Sequence, residues 1–382
     1  MNNIIMFSSG KLFQGNLTGG NKRFLELLSY LKRSKTNNLL FISQDDSESV
    51  KEYGYYNHIK IDKDKNVGIY KVMPPEMRSL VSNIRKLKSI KKENYDKLIA
   101  FDVPPTIGLV LLGFKNLVLM VRKDMIGYER TINHSWTLYL KLALQWICES
   151  ICMMKCCRII CQCDYDKKQL MKRHLLLSKS IDKKTRILIN NVNPSWIVNN
   201  TKEDFDEVIL KEKKGYRICF IGNFDTPRKG HQLFLDAAQL LLKQNKDIEF
   251  VLIGGGNSFE KYRSLYSNEK VIFTGKLNNP NTVLKQCDLL VVPSYADSCP
   301  NTIMEALYNG VPVIGSRAGG IPEILLDKDT LFDLEVESLV NSINTLLCNP
   351  AKLEEIKGKQ HIRKNELTFD WGEKMMKLIL ED

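Results

Sequence analysis

Residues 289–323, LLVVPSYADSCPNTIMEALYNGVPVIGSRAGGIPE, decide the fold. The stretch begins with a short apolar, β-branched segment, Leu289–Val292, which is typical of a buried parallel strand. Pro293 ends that strand. Pro300 is predicted at the first position of a helix, where the missing N–H of proline costs nothing. Gly310 marks the end of this helix.

A second strand follows the helix at once. It is predicted at Val311–Ile314, and Gly319-Gly320 form the tight turn after it. A strand, a loop, a helix and a further strand in this order predict an α/β fold with a parallel sheet.

Two acids bracket the start of the helix, Asp297 in the loop and Glu305 within the helix. The first amides of a helix, here near Asn301 and Thr302, have no intrahelical partner, so together with the macrodipole they form an anion site. Amides that hold phosphate beside carboxylates that accept sugar hydroxyls would suit a sugar phosphate. Spacing alone fits a capped surface helix with two solvated acids equally well.

The whole stretch resembles the donor-site signature of retaining, nucleotide-sugar-dependent glycosyltransferases of the GT-B fold. The resemblance is to family 4, the glycosyl transferases group 1, of the bacterial surface-polysaccharide type. That signature has two acids separated by seven residues, a glycine-proline strand and a GG-x-x-E loop. The matching residues are Asp297, Glu305, Gly310-Val311-Pro312-Val313 and Gly319-Gly320-Ile321-Pro322-Glu323. Asp297 is one methylene shorter than the Glu that is commoner in the family, so its contact to the donor sugar is expected to differ.

This resemblance implies two doubly wound, Rossmann-like domains that face each other across a cleft. We expect an acceptor-binding domain at 1–195, a nucleotide-sugar donor domain at 196–365 and a helix at 366–382 that returns to the first domain. It implies that Glu305 binds the ribose hydroxyls of the donor, that Asp297 binds the transferred sugar, and that UDP-sugars are favoured over GDP-sugars.

A cationic loop follows the strand predicted at Tyr216–Ile221. Family members have an Arg directly after the first glycine of this loop and a Lys just before the last. Lys229 matches, whereas Asn223 occupies the place of the Arg, so Arg228 is expected to supply the missing charge. A cation pair suits a pyrophosphate leaving group because it offsets the charge that develops there. A solvated Arg-Lys pair is the alternative. The predicted donor-contacting residues are Gly222, Asn223, Gly254, Lys276, Leu277, Ser298, Cys299, Pro300, Asn301 and Thr302.

The first half opens in the same way, with a strand at Asn3–Phe7, a loop that ends in Gly19-Gly20, and a helix at Arg23–Leu31. The resemblance implies that the glycine pair faces the acceptor and the donor diphosphate. Many relatives have a histidine after the strand that corresponds to Leu117–Val121. Arg122 stands there in this chain, so we expect it on the acceptor side. The nearby His134 is expected to be structural.

The net charge of +12 is unevenly distributed along the 382 residues. Residues 1–190 contain 33 Lys and Arg against 17 Asp and Glu, and the remainder is slightly acidic. A basic half indicates an anionic partner, either an anionic membrane surface or a phosphate-bearing acceptor, or else a solvated lysine surface. No nucleic-acid-binding motif accompanies it, so we expect no nucleic acid partner.

Two segments bear on membranes. A basic helix is predicted at Arg78–Lys92; it could lie on an anionic surface or cover the sheet as an ordinary surface helix. Trp136–Arg158 has the length of a membrane span, but each Lys or Arg within it costs about 2.5–3.5 kcal/mol at mid-bilayer. We therefore expect a long, partly buried helix. No secretory signal is evident, so we expect a cytoplasmic protein that could associate peripherally with the membrane.

Neither the ten cysteines nor the Asp-x-Asp triplets indicate a metal site. Cys148, Cys152 and Cys156 share one helix face without zinc-ligand spacing, so buried free thiols in a reducing compartment are expected. Three Asp-x-Asp triplets are interpreted as surface acids; they are Asp62/Asp64, Asp164/Asp166 and Asp327/Asp329. We predict a reaction that needs neither a metal nor a cofactor.

The resulting hypothesis is transfer of a sugar from a nucleotide diphosphate to an acceptor hydroxyl, with retention at the anomeric carbon. The acceptor could be a polyisoprenyl-diphosphate glycan of surface-polysaccharide assembly or a small soluble molecule. A nucleotide-sugar epimerase or a non-catalytic nucleotide-sugar sensor is the alternative. A dehydrogenase is disfavoured because Phe259 falls where the third glycine of a dinucleotide fingerprint would stand. The base, the sugar, the linkage and the oligomeric state stay open.

Overall fold

We describe the fold from a computed structural model. The described residues are 2–13, 19–34, 37–55, 57–62, 82–92, 94–122, 126, 136–194, 210–213, 215–244 and 247–381. The start of the predicted basic helix (78–81), Asp64 and His134 lie outside them. The chain forms two compact units, residues 1–189 with 370–382 and residues 190–369. The chain thus passes from the first unit into the second after residue 189, six residues before the boundary predicted at 195.

The first unit is built on a parallel sheet. Within the described residues this sheet has seven strands in the order β3-β2-β1-β4-β5-β6-β7. The strands are β1 (Asn2–Phe7), β2 (Asn37–Ser43), β3 (His58–Lys60), β4 (Lys97–Phe101), β5 (Leu117–Val121), β6 (Arg158–Cys161) and β7 (Thr185–Ile187). The order reverses between β1 and β4, so the carboxyl ends of those strands form the switch point of this sheet.

Helices cover both faces of the first sheet. They are α1 (Gly19–Arg33), α2 (Ser47–Glu52), α3 (Ile84–Ile90), α4 (Val103–Leu111), α5 (Trp136–Lys155), α6 (Asp164–Arg173) and α7 (Ser178–Lys184), and the closing helix Trp371–Leu380 packs on α1. One core cluster joins side chains of α3 to α7 with alternate residues of the strands, such as Ile5 and Phe7 of β1. Helices α3 to α7 therefore lie on one face, as right-handed crossovers require.

The second unit repeats this design. Its parallel sheet has the order β10-β9-β8-β11-β12-β13. The strands are β8 (Tyr216–Ile221), β9 (Ile248–Ile253), β10 (Val271–Gly275), β11 (Leu289–Val292), β12 (Val313–Ser316) and β13 (Leu331–Phe332). The helices of this unit are α8 (His231–Lys243), α9 (Phe259–Leu265), α10 (Asn281–Leu284), α11 (Asn301–Asn309), α12 (Ile321–Leu325), α13 (Val336–Leu347) and α14 (Pro350–Glu366). The closing helix α15 (Trp371–Leu380) belongs to the first unit. The order reverses between β8 and β11.

Several predicted boundaries are wrong by a few residues. Pro300 is the N-cap of α11 rather than its first helical residue, since its ψ of 120° is extended. The strand after Gly310 begins at Val313, beyond Pro312, which has no N–H for the sheet. Gly19 and Gly20 are the first two residues of α1 and do not form a loop. Gly310, with a φ of 70°, ends α11 as predicted.

Candidate active site in the second unit

The candidate active site lies at the switch point of the second sheet. β8 and β11 are neighbours there, with Leu289 opposite Ile218 and Leu290 opposite Cys219. The cationic loop at 222–230 follows β8, and the acidic loop at 293–300 follows β11. Because both strands run in the same direction, both loops emerge at the same edge of the sheet. This is the position at which doubly wound sheets bind ligands.

The sheet brings together three of the residues predicted to act in catalysis. Lys229 Nζ donates to Asp297 Oδ2 at 2.5 Å, and Arg228 Nη1 lies 3.3 Å from the same oxygen. The Asp297 side chain is 12% exposed, so the carboxylate lies mostly beneath the two cations. The sequence predicted each of these residues but not that the cations would pair with Asp297.

Backbone contacts fix the cationic loop against the acidic loop. Arg228 Nη1 donates to the Ala296 carbonyl at 2.7 Å, and the Tyr295 amide donates to the Arg228 carbonyl at 2.7 Å. Gly230 ends the 3₁₀ turn Pro227–Lys229 with a φ of 77°, and a Cβ there would lie 1.9 Å from the Pro293 carbonyl oxygen. Only glycine fits this approach, so the sequence positions both cations through backbone geometry.

The charges of the cluster determine the ionisation of Asp297. Burial on its own would raise the pKa of this carboxyl, but Lys229 and Arg228 outweigh burial and hold the pKa below its ordinary value. Asp297 is therefore an anion at neutral pH. Two cations and one carboxylate leave the cluster with an excess of one positive charge.

The glycine turn after β12 supports Asp297 from behind. The Gly320 amide donates to the Asp297 carbonyl at 2.9 Å. Gly319 has a φ of 59°, and a Cβ there would lie 2.2 Å from the same carbonyl oxygen. The sequence predicted a turn at Gly319-Gly320. The structure shows in addition that this turn fixes the backbone of Asp297.

The segment that enters α11 contains buried polar groups. The Ser298 side chain is buried, and its hydroxyl has no hydrogen-bond partner within the described part of the chain. Cys299 and Asn301 instead accept hydrogen bonds from Asn190. Asn190 Nδ2 donates to the Cys299 carbonyl at 2.8 Å and to Asn301 Oδ1 at 3.1 Å. Thr302 is half-buried in the first turn of the helix. An unsatisfied buried hydroxyl is uncommon and calls for a partner.

Glu305 lies farther along α11 and is only 7% exposed. Its backbone carbonyl accepts from Asn309 Nδ2 at 2.8 Å. A carboxylate that is this well buried is not the solvated surface acid of the alternative interpretation, since Glu is rarely buried without a partner.

The loops after β8, β9 and β10 meet at the same edge. The Gly222 amide donates to the Ile253 carbonyl at 3.0 Å, and a Cβ on Gly254 would lie 1.8 Å from the Gly222 carbonyl oxygen. Lys276 is exposed beside Gly255, and Leu277 is half-buried. Asn223 Oδ1 accepts from the Asp225 amide at 2.7 Å, so this side chain caps a turn.

In the first unit, the predicted acceptor-side residues lie near the switch point of the first sheet. Gly19 and Gly20 begin α1, which follows β1. Arg122 follows β5 and forms an ion pair with Asp102, with a contact of 3.0 Å between Nε and Oδ2. Asp102 follows β4 and has a φ of 68°, which is uncommon for a residue other than glycine. Sequence patterns gave no signal for Asp102, because backbone strain leaves no mark on periodicity.

The structure also describes the thiols, the Asp-x-Asp triplets and the long helix at 136–155. The cysteines are all free, and Cys152 and Cys156 are buried. Among the described residues, no group of three His, Cys, Asp or Glu side chains could hold a metal ion. Asp166 is wrongly predicted as a surface acid, because it is buried on the same face of α6 as Leu170. In the described part of the chain, no helix combines the length and the apolar character that crossing a membrane requires.

A chain of two Rossmann-like units, each built on a parallel sheet, is typical of the GT-B fold. In agreement with this, HepE of Anabaena in complex with UDP and glucose superimposes with a TM-score of 0.68, at 16% identity and over 99% of both chains. The fold is GT-B.

Sequence comparisons then show which enzymes the chain is similar to. Residues 215–349 match the family model described as glycosyl transferases group 1. The N-acetyl-alpha-D-glucosaminyl L-malate synthase of Bacillus anthracis is 35% identical over 24% of this chain and 25% of its own length. The UDP-Gal:alpha-D-GlcNAc-diphosphoundecaprenol alpha-1,3-galactosyltransferase of Escherichia coli is 25% identical over 74% of this chain and 72% of its own. The chain thus spans a quarter of one relative and nearly three quarters of the other.

Residues 215–349 are thus similar to the glycosyl transferases group 1, and the relatives named above include a galactosyltransferase. The epimerase and sensor alternatives are not favoured.

Proposed function

We propose that the chain transfers a hexose from a UDP-sugar to a hydroxyl group of a glycan or lipid-linked glycan, with retention at the anomeric carbon. The observation that carries this proposal is the Lys229–Asp297–Arg228 cluster at the switch point of the second sheet. A site with excess positive charge, one acid in the loop before α11 and one within α11, and glycine-shaped loops suits a sugar diphosphate.

The cations act on the leaving group. When the bond between the anomeric carbon and the diphosphate breaks, the diphosphate takes the electron pair and gains negative charge. Lys229 and Arg228 are held in place before the reaction by the loop contacts, so they stabilise that charge without reorganising. The Ser298 hydroxyl and the first amides of α11 contribute further donors.

The acids bind the sugar parts of the donor. Asp297 accepts from hydroxyls of the transferred hexose, and Glu305 accepts from the ribose hydroxyls. The acceptor oxygen forms the new bond to the anomeric carbon on the side that the diphosphate leaves. The acceptor proton passes to the departing phosphate oxygen, so no protein base is required and configuration is retained. We propose that the reaction needs no metal, because the cations and amides supply the positive charge.

The donor and acceptor classes are supported by relatives. The name of the Escherichia coli relative specifies UDP-Gal and a diphosphoundecaprenol-linked acceptor. The Anabaena neighbour binds UDP and glucose. We therefore propose a UDP-sugar donor, a role in polysaccharide or glycolipid assembly, and peripheral association with an anionic membrane surface where a lipid-linked acceptor resides.

The test is acceptor-dependent release of UDP. The purified chain is incubated with UDP-glucose, UDP-galactose or UDP-N-acetylglucosamine, with GDP-mannose as the control donor, and with or without a polyprenyl-diphosphate glycan. We expect release of UDP only with an acceptor, an unchanged rate in EDTA, and a product whose anomeric proton coupling shows retention. Interconversion of the donor without an acceptor would indicate an epimerase, and binding without turnover a sensor.

A further inference from the structure

We propose that the first unit carries a membrane-docking patch, and that its partner is an anionic phospholipid surface. The docking patch consists of Leu140, Leu144, Trp146 and Ile147 on α5 with Leu175 and Leu176 of the adjoining 3₁₀ turn. The proposal locates the peripheral association proposed above and rests on it. Its test measures lipid binding and leaves sugar transfer to a separate assay.

Exposed apolar side chains are concentrated here. Of the eighteen large apolar side chains exposed in the described part of the chain, nine lie between residues 139 and 176. Leu175 is 77% exposed and Leu176 fully exposed. Scattered single leucines on a surface need no explanation, but a contiguous group of this kind marks an interaction site.

The length of α5 explains why this group is exposed. The helix has 20 residues and spans about 30 Å, whereas the neighbouring strands β5 and β6 span roughly 15 Å. Its contribution to the core comes from the second half, through Cys152 and Met153. In residues 139–147 of the first half, Leu142 is the one buried side chain. That half projects past the sheet with its apolar side chains outward.

Packing joins the helix to the 3₁₀ turn in one surface. Trp146 Nε1 donates to the Arg173 carbonyl at 3.0 Å, and the Trp146 ring stacks on His174 at 5.3 Å between centroids. Leu175 and Leu176 follow His174 directly. Leu140, Leu144 and Ile147 lie at helical spacing on the same side of α5. The docking patch is therefore continuous rather than two separate groups.

A buried ionic network holds the docking patch in shape. Glu149 Oε2 lies 2.8 Å from His174 Nε2 and 3.1 Å from Arg173 Nε, and Ser150 Oγ lies 3.0 Å from His174 Nδ1. Glu149 and Ser150 belong to α5, whereas Arg173 and His174 end α6. The network thus ties the two elements of the patch together, so binding would not have to order them.

The charge around the docking patch selects an anionic surface. Lys172 and Lys179 are exposed on either side of Leu175-Leu176, and Lys141 is exposed within the helical part. They belong to the half of the chain in which Lys and Arg outnumber Asp and Glu by 33 to 17. Amphipathic surfaces of this composition, with a Trp beside a basic rim, bind at the headgroup level of anionic bilayers. A second copy of the chain would bring the same lysines against one another, which opposes a dimer through this surface.

The test is flotation of the full chain with lipid vesicles. We expect binding to vesicles of phosphatidylcholine with phosphatidylglycerol, and much less to phosphatidylcholine alone. Leu175→Glu/Leu176→Glu should reduce the partition coefficient by about tenfold or more, because two inserted side chains are lost and two like charges meet the lipid. Lys172→Gln/Lys179→Gln should lower binding to anionic vesicles by about fivefold per lysine and leave the apolar contribution intact.

Matched controls separate docking from folding and from catalysis. Leu265→Glu changes a leucine of the second unit that is 63% exposed, and this variant should bind lipid as wild type does. The leucine variants should keep the wild-type melting temperature and the wild-type rate of UDP release with a water-soluble acceptor. Absence of flotation by wild type would overturn the proposal, and so would undiminished binding of Leu175→Glu/Leu176→Glu. A concentration-dependent dimer that this variant abolishes, without lipid binding, would assign the surface to a second copy instead.

Discussion

Replacement of Lys229 by Met tests the proposed chemistry of the cluster. The variant keeps most of the side-chain volume and removes the ammonium group that lies 2.5 Å from Asp297. If this group stabilises the departing diphosphate, the loss should appear in the transition state. A preorganised donor of this kind is worth about 3 kcal/mol, so kcat/KM should fall about a hundredfold.

The stability of Lys229→Met should change much less than its activity. Lys229 is 21% exposed and Asp297 12%, which lies between a surface ion pair and a fully buried one. Arg228 stays beside the carboxylate at 3.3 Å and compensates part of its charge. We expect a loss of about 1–2 kcal/mol, or a decrease of about 5 °C in melting temperature.

The assay compares initial rates of UDP release at low donor concentration for wild type, Lys229→Met and a matched control. Lys285→Met is the control, because Lys285 is an exposed lysine of the same unit and lies outside the cationic and acidic loops. It should retain the wild-type rate. A folded Lys229→Met enzyme with wild-type kcat/KM would refute the reasoning, as would an equal loss in Lys285→Met.

Three further predictions follow from the geometry. Asp297→Asn should bind free UDP about fivefold more tightly in calorimetry, because the two cations lose a competing anion whose interaction is worth about 1 kcal/mol. The turnover of this variant should nevertheless fall, and weaker UDP binding would contradict the prediction. Gly319→Ala should lose at least about 1 kcal/mol of stability and most activity, because the φ of Gly319 is 59° and a Cβ there would meet the Asp297 carbonyl. The control Gly358→Ala, in the open interior of α14, should gain about 0.5–1 kcal/mol of stability. Burial raises the pKa of Glu149, but His174 and Arg173 outweigh burial and lower this pKa. Ionised Glu149 therefore stabilises the folded protein fully above the unfolded-state pKa of about 4.3, and this contribution is lost as the pH falls through the lower folded-state pKa. In urea titrations below about pH 4.5, Glu149→Gln should therefore show a weaker dependence of the unfolding free energy on pH than wild type, and identical slopes would count against the network.

The sequence predicted most strands of both sheets because buried parallel strands are short apolar runs, whereas the short edge strands β3 and β13 were not predicted. β11 (Leu289–Val292) and β8 (Tyr216–Ile221) have the predicted limits. The prediction failed where that signal is absent. Helix α4 is apolar apart from Thr106 and has two prolines in its first turn. Helix α14 is mostly polar and buries few side chains. Neither helix was predicted. Tertiary packing, rather than the local sequence pattern, stabilises both helices.

The candidate site was predicted as a set of residues but not as an arrangement. Motif spacing identified Lys229, Asp297 and Glu305, whereas the ion pair between the first two depends on loops 68 residues apart that meet only across β8 and β11. Nor did spacing show that the Asn223 side chain caps its own turn, although the residue was predicted as a donor contact. The strained backbone of Asp102 and its pairing with Arg122 had no sequence signal, since both arise from where strands β4 and β5 end.

A crystal structure of the protein with UDP bound would show whether the cationic loop and the start of α11 hold the diphosphate. We expect the diphosphate at the carboxyl edge of β8 and β11, within hydrogen-bond distance of Lys229 Nζ and Ser298 Oγ. We expect the ribose hydroxyls against Glu305. A diphosphate bound away from the switch point, or a UDP complex in which Lys229 stays paired with Asp297 and does not touch phosphate, would contradict this expectation.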